Sequence, residues 1–274
     1  MTTIRAYLTI DDSPSAHMGQ KIDFLLSKRI PAIFFCEGYK IEQHPDPVIH
    51  AIQNGFVIGN HSYSHSTFSS TSQKESFQEI ENTDVLIDEI YQQANVERPA
   101  KFFRFPYGDK GGRIQDFNLK PNIAYSLYYF QRKLHNLRYK IRPFSAKPNR
   151  SKAIQQYLHE LGYTQPVFEN IPTEYRDDGF LNDVDWYWTF NCVEFAIYAA
   201  KKPPSLYNIT GLEDIYAKIN KWLSEKTVRQ NCPISEEIIL IHDHENSTEL
   251  FFSIIEHMKE KGIQFTLPGE IKVQ

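Results

Sequence analysis

Along the first hundred residues, short apolar runs alternate with longer stretches in which apolar positions recur every three or four residues. Ile4-Arg5-Ala6-Tyr7-Leu8-Thr9-Ile10 is a mostly apolar, β-branched run, and it stops abruptly at Asp11-Asp12-Ser13-Pro14: a strand followed by a polar turn. Ile22, Leu25 and Leu26 mark a helix after it. Ala32-Ile33-Phe34-Phe35-Cys36 does not alternate and so predicts a strand covered on both faces. Pro45-Asp46-Pro47 opens a helix with Val48, Ile49 and Ile52 as its apolar face, and Phe56-Val57-Ile58 is the next strand. Ser72 and Glu75 have capping-box spacing, and Phe77, Ile80, Ile87 and Tyr91 keep close to a helical period to about Ala94. Phe102-Phe103-Arg104-Phe105 predicts a further strand, ended by Pro106-Tyr107-Gly108. Strand and helix in this alternation specify a parallel sheet or barrel, whose ligands gather beyond the C-terminal ends of the strands.

From Gly111 to about Asn182 the pattern is harder to read. Tyr125 to Phe130 and the basic run Arg132 to Arg142 predict a helix with a cationic face, interrupted by Pro143 and Pro148. Ser151 begins a clearer helix through Ile154, Tyr157, Leu158 and Leu161, stopped at Gly162, with Pro166-Val167-Phe168 as a short strand after it. Asp177-Asp178-Gly179 is a turn. The last quarter regains its period. Thr210 and Glu213 form a capping-box pair ahead of Ile215, Ile219, Trp222 and Leu223; Glu237-Ile238-Ile239-Leu240-Ile241 is a buried strand ending in His242-Asp243-His244; and Leu250, Phe251, Ile254, Ile255 and Met258 line a closing helix before the strand Ile263 to Thr266. There is no internal repeat or linker, so the chain reads as one α/β domain over 1–274.

Composition narrows the function. A net charge of −4 and a pI near 6.2 leave no broad basic surface for nucleic acid. Three widely spaced cysteines, Cys36, Cys192 and Cys232, make neither a disulfide framework nor a CxxC metal site. No run of about 18 apolar residues predicts a membrane span. Met1 leads almost directly into the first strand with no signal-peptide pattern, so the chain as written is expected in the cytoplasm. Oligomeric state has no signature.

The chemistry lies at the strand ends. Asn60-His61-Ser62-Tyr63-Ser64-His65 puts two histidines on one side of a turn or helix start, as a divalent metal such as zinc requires. Either Asp11 or Asp12 completes three protein ligands, leaving room for water and a substrate oxygen. The other carboxylate is then free to take a proton from water, and a histidine on the opposite side to protonate a leaving amine. Arg104 beside the base would orient it, and a backbone N–H in the Pro106 turn would receive an oxyanion. Asp11, Asp12, His61, His65, Arg104, Tyr107, Asp185 and His242 together supply the parts of a metal-assisted amide hydrolysis.

Thr9-Ile10-Asp11-Asp12-Ser13-Pro14, Asn60 to His65, Arg104-Phe105-Pro106-Tyr107-Gly108, Asp183-Val184-Asp185-Trp186 and Leu240-Ile241-His242-Asp243 resemble the five successive motifs of the polysaccharide deacetylases, the NodB-homology group or carbohydrate esterase family 4. The resemblance runs over nearly the whole chain. It implies a distorted (β/α) barrel of fewer than eight strands and hydrolysis of N-acetyl or O-acetyl groups on sugars, with an acetylated glycan or glycoconjugate as substrate and Zn2+, or another dication such as Co2+, as cofactor. It also divides the labour that spacing leaves open: Asp11 as base, Asp12, His61 and His65 as metal ligands, and Arg104 holding Asp11. The Tyr107 N–H would contribute to the oxyanion hole beside Pro106. His242 would be the acid, oriented by Asp185, and Trp186 and Leu240 would line the pocket for the acetyl methyl. Ile10 and Ser13 depart from the usual phenylalanine and glycine of the first motif, and neither supplies a catalytic atom. The distance from Arg104 to Asp185 is longer than usual, which predicts insertions over 111–149 and 169–182 near the mouth of the barrel. Tyr128, Tyr129, Arg132, Lys133, Arg138 and Arg142 in the first would contact an anionic or extended glycan, or serve a structural or oligomer-forming role. Two other readings use the same residues: hydrolysis of an O-acetyl ester or a non-sugar amide, and glycan binding without catalysis.

Overall fold

One strand organises the sheet. In the computed structural model, which describes residues 3–111, 150–165, 183–198, 209–229, 234–269 and 271, β1 runs over Thr3–Ser13. It pairs in parallel with β5 (Ile234–His242) from Thr3↔Ile234 to Asp11↔His242. It also pairs with β2 (Ile33–Cys36) over its last residues and with β6 (Gln264–Phe265) at Arg5 and Ala6. β3 (Val57–Asn60) adds to β2 and β4 (Phe190–Asn191) to β5, giving the order β3-β2-β1-β5-β4 with every pairing parallel. The helices among the described residues are α1 (Met18–Lys28), α2 (Gly38–Gln43), α3 (Pro45–Gln53), α4 (Gln73–Ala94), α5 (Arg150–Glu160), α6 (Leu212–Arg229) and α7 (Thr248–Glu260). None of them is long and apolar enough to cross a membrane.

Both faces of the strands are covered, which is why their sequences do not alternate. Leu8, Ile10, Phe34, Ile58, Ile239 and Ile241 face outward and pack with Ile22 and Leu25 of α1, Val48 and Ile52 of α3, Ile87 of α4, Ile215 and Ile219 of α6, and Ile254 and Ile255 of α7. Tyr7, Ile33, Phe35, Val57 and Ile238 face the other way and fill the interior with Phe102 and Trp186. By the same alternation Thr9 and Asp11 on β1, and Leu240 and His242 on β5, continue the inner face to the C-terminal end of the sheet.

The sheet is distorted where it turns toward closure. Phe102 to Phe105 is not the regular strand that its apolar run predicts: Phe103 makes a single parallel bridge with Asn60. Trp186 N–H then donates to the Phe103 carbonyl at 2.7 Å, and Thr189 N–H to the Ile238 carbonyl at 2.9 Å. Backbone bonding is thereby carried from β3 round toward β4 and β5 through segments too irregular to form strands.

Three further expectations are corrected. Asp11-Asp12-Ser13 lies inside β1 and not in a turn after it, with the pairing to β2 shifted between Ile10 and Ser13. The carboxylate that caps α6 belongs to Asp214, whose Oδ2 accepts from Thr210 N–H and Oγ1 at 2.7 Å each and from Gly211 N–H at 3.2 Å, so Glu213 does not form the box. Helix α2 has no counterpart in the sequence reading, because six residues are too few for an apolar period to register. The α4 box does form, with Glu75 N–H donating to Ser72 Oγ and Ser72 N–H to Glu75 Oε2. The predicted helix and strand at 125–142 and 166–168, and the proposed insertions apart from Gly111, lie outside the described residues.

Candidate active site

The residues at the C-terminal end of the sheet are held by backbone that most side chains avoid. Seven described non-glycine residues have positive φ; Arg29 and Asn95 are helix C-caps, and the other five are Asp12, Ser62, His65, Tyr107 and Val193. A left-handed non-glycine residue costs energy that the surrounding structure must offset, and such positions cluster at functional sites. Here they surround one spot. Asp12, at φ 61°, follows Asp11 through the irregular end of β1, so the two adjacent carboxylates are aimed differently.

Asp12 faces two imidazoles. Its Oδ1 is 3.4 Å from His61 Nε2 and 3.1 Å from His65 Nε2, and one donor atom from each of the three residues lies within 4.8 Å of the others. Nδ1 of His61 is 2.8 Å from the Arg104 carbonyl, which can only accept, so Nδ1 carries a proton in either charge state and the neutral ring has Nε2, on the Asp12 side, as its free ligand atom. Asp12 Oδ1 is buried and makes no hydrogen bond of ordinary geometry. A carboxylate oxygen and two imidazoles converging in this way are a donor set suited to a tetrahedral dication with an open position. Burial pushes the Asp12 carboxyl up, but the charge of His65 and the contacts with both imidazoles outweigh it and hold the group well below the usual carboxylate range. For His61, burial opposes the charged ring while Asp11 and Asp12 favour it, with a net upward shift.

The histidine loop is set by packing. Gly59 precedes it because a β-carbon there would stand 2.6 Å from the Phe35 ring. Asn60 then fixes the turn: its Oδ1 accepts the Ser62 N–H at 2.8 Å, while its Nδ2 donates to the Ile80 carbonyl and to Tyr163 Oη. The Tyr107 ring stands edge-on to His65 at 4.5 Å, on the short turn Pro106–Gly108, whose Pro106 is buried.

Asp11 lies on the other side of this group, 3% exposed, with Oδ2 3.7 Å from His61 Nε2. Arg104 clamps it. The fully buried guanidinium donates from Nη1 to Asp11 Oδ1 and Thr9 Oγ1, both at 2.7 Å, from Nη2 to the Tyr187 carbonyl at 2.9 Å, and from Nε to the Trp186 carbonyl at 3.3 Å. It also stacks on the Phe35 ring at 4.3 Å. Burial lowers the Arg104 pKa, against the opposing pull of Asp11 and Asp185. His242 is the β5 residue paired with Asp11 in register.

The partner of His242 is Glu194. His242 Nδ1 is 2.8 Å from Glu194 Oε1, which also accepts the His242 backbone N–H at 2.5 Å. Burial lowers the His242 pKa, but Glu194 more than compensates and raises it to about 9. Asp185, expected in this role, is instead bonded by Gln155 Nε2 at 2.6 Å and paired with Lys110 at 3.0 Å. The neighbouring expectation also changes. Trp186 is 1% exposed and packs on Phe35 and Phe102, ring centroids 6.0 and 4.7 Å apart, so it belongs to the barrel interior and not to an open pocket wall. Leu240 is also buried, on the strand face that leads to His242. The sequence signal for Glu194 was the second aromatic run: Trp188-Thr189-Phe190-Asn191 contains β4, and Glu194 follows its end by three residues, whereas Asp183-Val184-Asp185-Trp186 precedes the strand. Val193, at φ 62°, turns the chain so that Glu194 begins a short 3-10 turn beside His242.

Comparison with known proteins supplies the kinship. Residues 2–120 match the polysaccharide deacetylase family profile. The stretch carries the first three of the five motifs. A chitooligosaccharide deacetylase of Rhizobium leguminosarum bv. trifolii is 32% identical over 97 residues, 35% of this chain and 45% of that protein. The peptidoglycan-N-acetylmuramic acid deacetylase PdaC of Bacillus subtilis is 34% identical over 118 residues, 43% of this chain and 24% of that one. The chain thus spans less than half the length of these curated relatives. Similarity of fold extends much further: a family 4 carbohydrate esterase from Streptomyces lividans, solved in complex with acetate, superposes with a TM-score of 0.55 at 17% identity over 97% of this chain and 93% of its own. The structure of PdaC gives 0.52 at 19% identity over 95% and 86%. The distorted parallel α/β fold is therefore that of the family 4 enzymes.

Proposed function

We propose that this protein is a metal-dependent deacetylase that hydrolyses the N-acetyl group of amino sugars in an oligosaccharide, polysaccharide or glycoconjugate. The observation that carries the reading is the placement of Asp11 and the Glu194-bonded His242 at one register position of β1 and β5, beside the convergent Asp12, His61 and His65. Its support in kinship is the N-deacetylase names of the partial-length relatives.

Asp12, His61 and His65 would hold the dication, most simply Zn2+, which when bound supplies Lewis acidity and a water of lowered pKa. Asp11 takes one proton from the attacking water as the new C–O bond forms at the acetyl carbon. Arg104 keeps the Asp11 carboxylate turned toward that water. The turn at Tyr107 offers backbone N–H to the developing oxyanion. His242, charged and with Nδ1 committed to Glu194, delivers the Nε2 proton to the amine nitrogen as the C–N bond breaks. The acetyl group leaves as acetic acid, which gives its proton to solvent to become acetate, and the free amino sugar departs; Asp11 then loses its proton to solvent and His242 regains one, which restores both groups.

Acetate release measured across N-acetylglucosamine oligomers, peptidoglycan fragments, acetylated xylan and cyclic ureides, with metal content determined on the same sample, tests the proposal. Turnover confined to the N-acetylated glycans is expected. Release from xylan or ureides alone would move the assignment to an O-acetyl or non-sugar amide substrate, and binding without turnover at saturating Zn2+ would leave a glycan-binding protein.

The His242–Glu194 pair predicts a pH signature. The acid must be protonated, so kcat/KM falls as pH rises through the His242 pKa, about 9 in the free protein. Glu194→Gln removes the charge that offsets burial, and the alkaline limb should move to lower pH by roughly 1–3 units. Positive charge bound nearby lowers both values and preserves their order. The Asp185→Asn limb should stay where it is; a shift there and none in Glu194→Gln would return the orienting role to Asp185.

A further inference from the structure

Behind the acid and the base lies a fully buried ion pair that the proposed chemistry does not use. Lys21 on α1 and Asp243, the residue after His242, are paired with both side chains completely excluded from solvent. Asp243 is also bonded on its remaining valences. Its Oδ2 accepts the Ser15 N–H and its Oδ1 the Ser15 hydroxyl, each at 2.7 Å. Its own N–H donates to the Asp11 carbonyl at 2.8 Å. Lys21 Nζ adds a bond to the His244 carbonyl at 3.0 Å and lies 5.9 Å from the Phe251 ring centroid. Ser15 in the loop after β1 and Lys21 on α1 are thus both tied to the loop after β5 through the Asp243 carboxylate.

A buried pair of this kind is an expensive way to stabilise a fold. Desolvating both ions costs several kcal/mol each, and apolar residues of the same shape usually do as well or better. What the pair supplies that apolar residues cannot is direction. Every bond to Asp243 comes from the segment that follows Asp11 and Asp12 or from Asp11 itself, and Asp243 is covalently next to His242. Glu194 holds the His242 ring from one side; the pair holds the backbone that carries it from the other.

We infer that Lys21, Asp243 and Ser15 form a positioning clasp that fixes the proton donor His242 relative to the base Asp11. This rests on the deacetylase reading for what is positioned, and on the bonds above for the positioning itself. Near-attack geometry is sensitive to displacements of about 1 Å, which can cost on the order of 10²-fold in rate.

The test uses the full chain. Lys21→Met/Asp243→Leu removes the clasp without leaving a buried charge, so folding should persist. The expected result is a kcat lower by about 10-fold or more with KM changed less than about twofold, unchanged Zn2+ stoichiometry, and a displaced or broadened His242 imidazole signal in long-range 1H–15N spectra. Lys21→Met/Asp243→Asn, which can restore a bond from Ser15 without charge, should recover most of the kcat and the His242 signal. Lys226→Met/Glu237→Gln neutralises a buried pair between α6 and β5, five residues before His242 along the strand, and should leave kcat alone. If the Leu/Met variant folds with kcat within about twofold of the parent and an unmoved His242 signal, the clasp is only structural and the inference is wrong. Should that variant fail to fold, Ser15→Ala removes one bond to Asp243 and no charge; an unmoved His242 signal there overturns the inference equally. Absence of acetate release by the parent protein on every substrate would defeat the deacetylase reading, while the His242 spectra would still decide the clasp.

Discussion

Asp11→Asn will lower kcat for acetate release by about 10²–10⁴-fold, the usual contribution of a general base, while the protein still binds one equivalent of Zn2+. The separation of these effects follows from the geometry. Asp11 is committed through Oδ1 to Arg104 at 2.7 Å, and its other oxygen is 3.7 Å from His61, outside the closer approach of Asp12 to both imidazoles. Asparagine keeps the shape and one acceptor for Arg104 but cannot take a proton from water. Stopped acetate assays paired with metal analysis on the purified variant check this. Full turnover in Asp11→Asn would remove Asp11 from the mechanism, and parallel loss of metal would place it among the ligands instead.

His61→Ala should remove metal and activity together. His61 is 2% exposed, its Nδ1 is tied to the Arg104 carbonyl, and its Nε2 is thereby presented toward Asp12. Without it, Asp12 and His65 alone cannot hold a dication with the affinity of three ligands, and metal content after dialysis should fall below about a tenth of the parent's, as expected from losing one of three ligands and the hydrogen bond that orients it. Titration with Zn2+ by calorimetry measures the loss directly. His242→Ala is the contrasting variant, retaining metal and losing turnover, because His242 is committed to Glu194 and not to the Asp12 group. Equal metal affinity in His61→Ala and the parent would sink the proposed ligand set.

Stability carries the same signs as the pH profile. His242 has a folded-state pKa raised to about 9, so the stability it contributes with Glu194 is fully present below about pH 6.5, the ordinary histidine value, and is lost as pH rises through about 9. The Asp12 group works in the opposite sense: its depressed pKa contributes stability above the ordinary carboxylate range that is lost as pH falls through the lowered value.

Much of this protein was legible in its sequence because the relevant physics is local. Non-alternating apolar runs marked β1, β2, β3 and β5 because a strand covered on both faces buries consecutive apolar residues, and the period of α4 and α7 was set by the single face each buries. The first three motifs lay at or just beyond strand ends, where a chain running out of a parallel sheet must deliver its polar residues. Resemblance to a known family supplied the expectation of base for Asp11 and ligand for Asp12, a division that spacing could not make.

What the sequence did not determine depended on how the backbone turns and on which residues meet across long separations. The different aims of two adjacent aspartates arise from the shifted pairing of β1 and the positive φ of Asp12, neither of which has a sequence signature. The partner of His242 lies 48 residues away on the far side of a two-residue strand, and a nearer-looking match at Asp183 to Trp186 stood before that strand and concealed it. Lys21 and Asp243 are 222 residues apart and, singly, look like a surface lysine and a loop aspartate; only the parallel pairing of β1 with β5 brings them together and excludes water. Hydrophobic pattern fixed the elements because burial of one face is written residue by residue. The site itself was decided by tertiary structure, because hydrogen-bond partners, left-handed backbone and buried charge are properties of the assembled sheet and of no single segment.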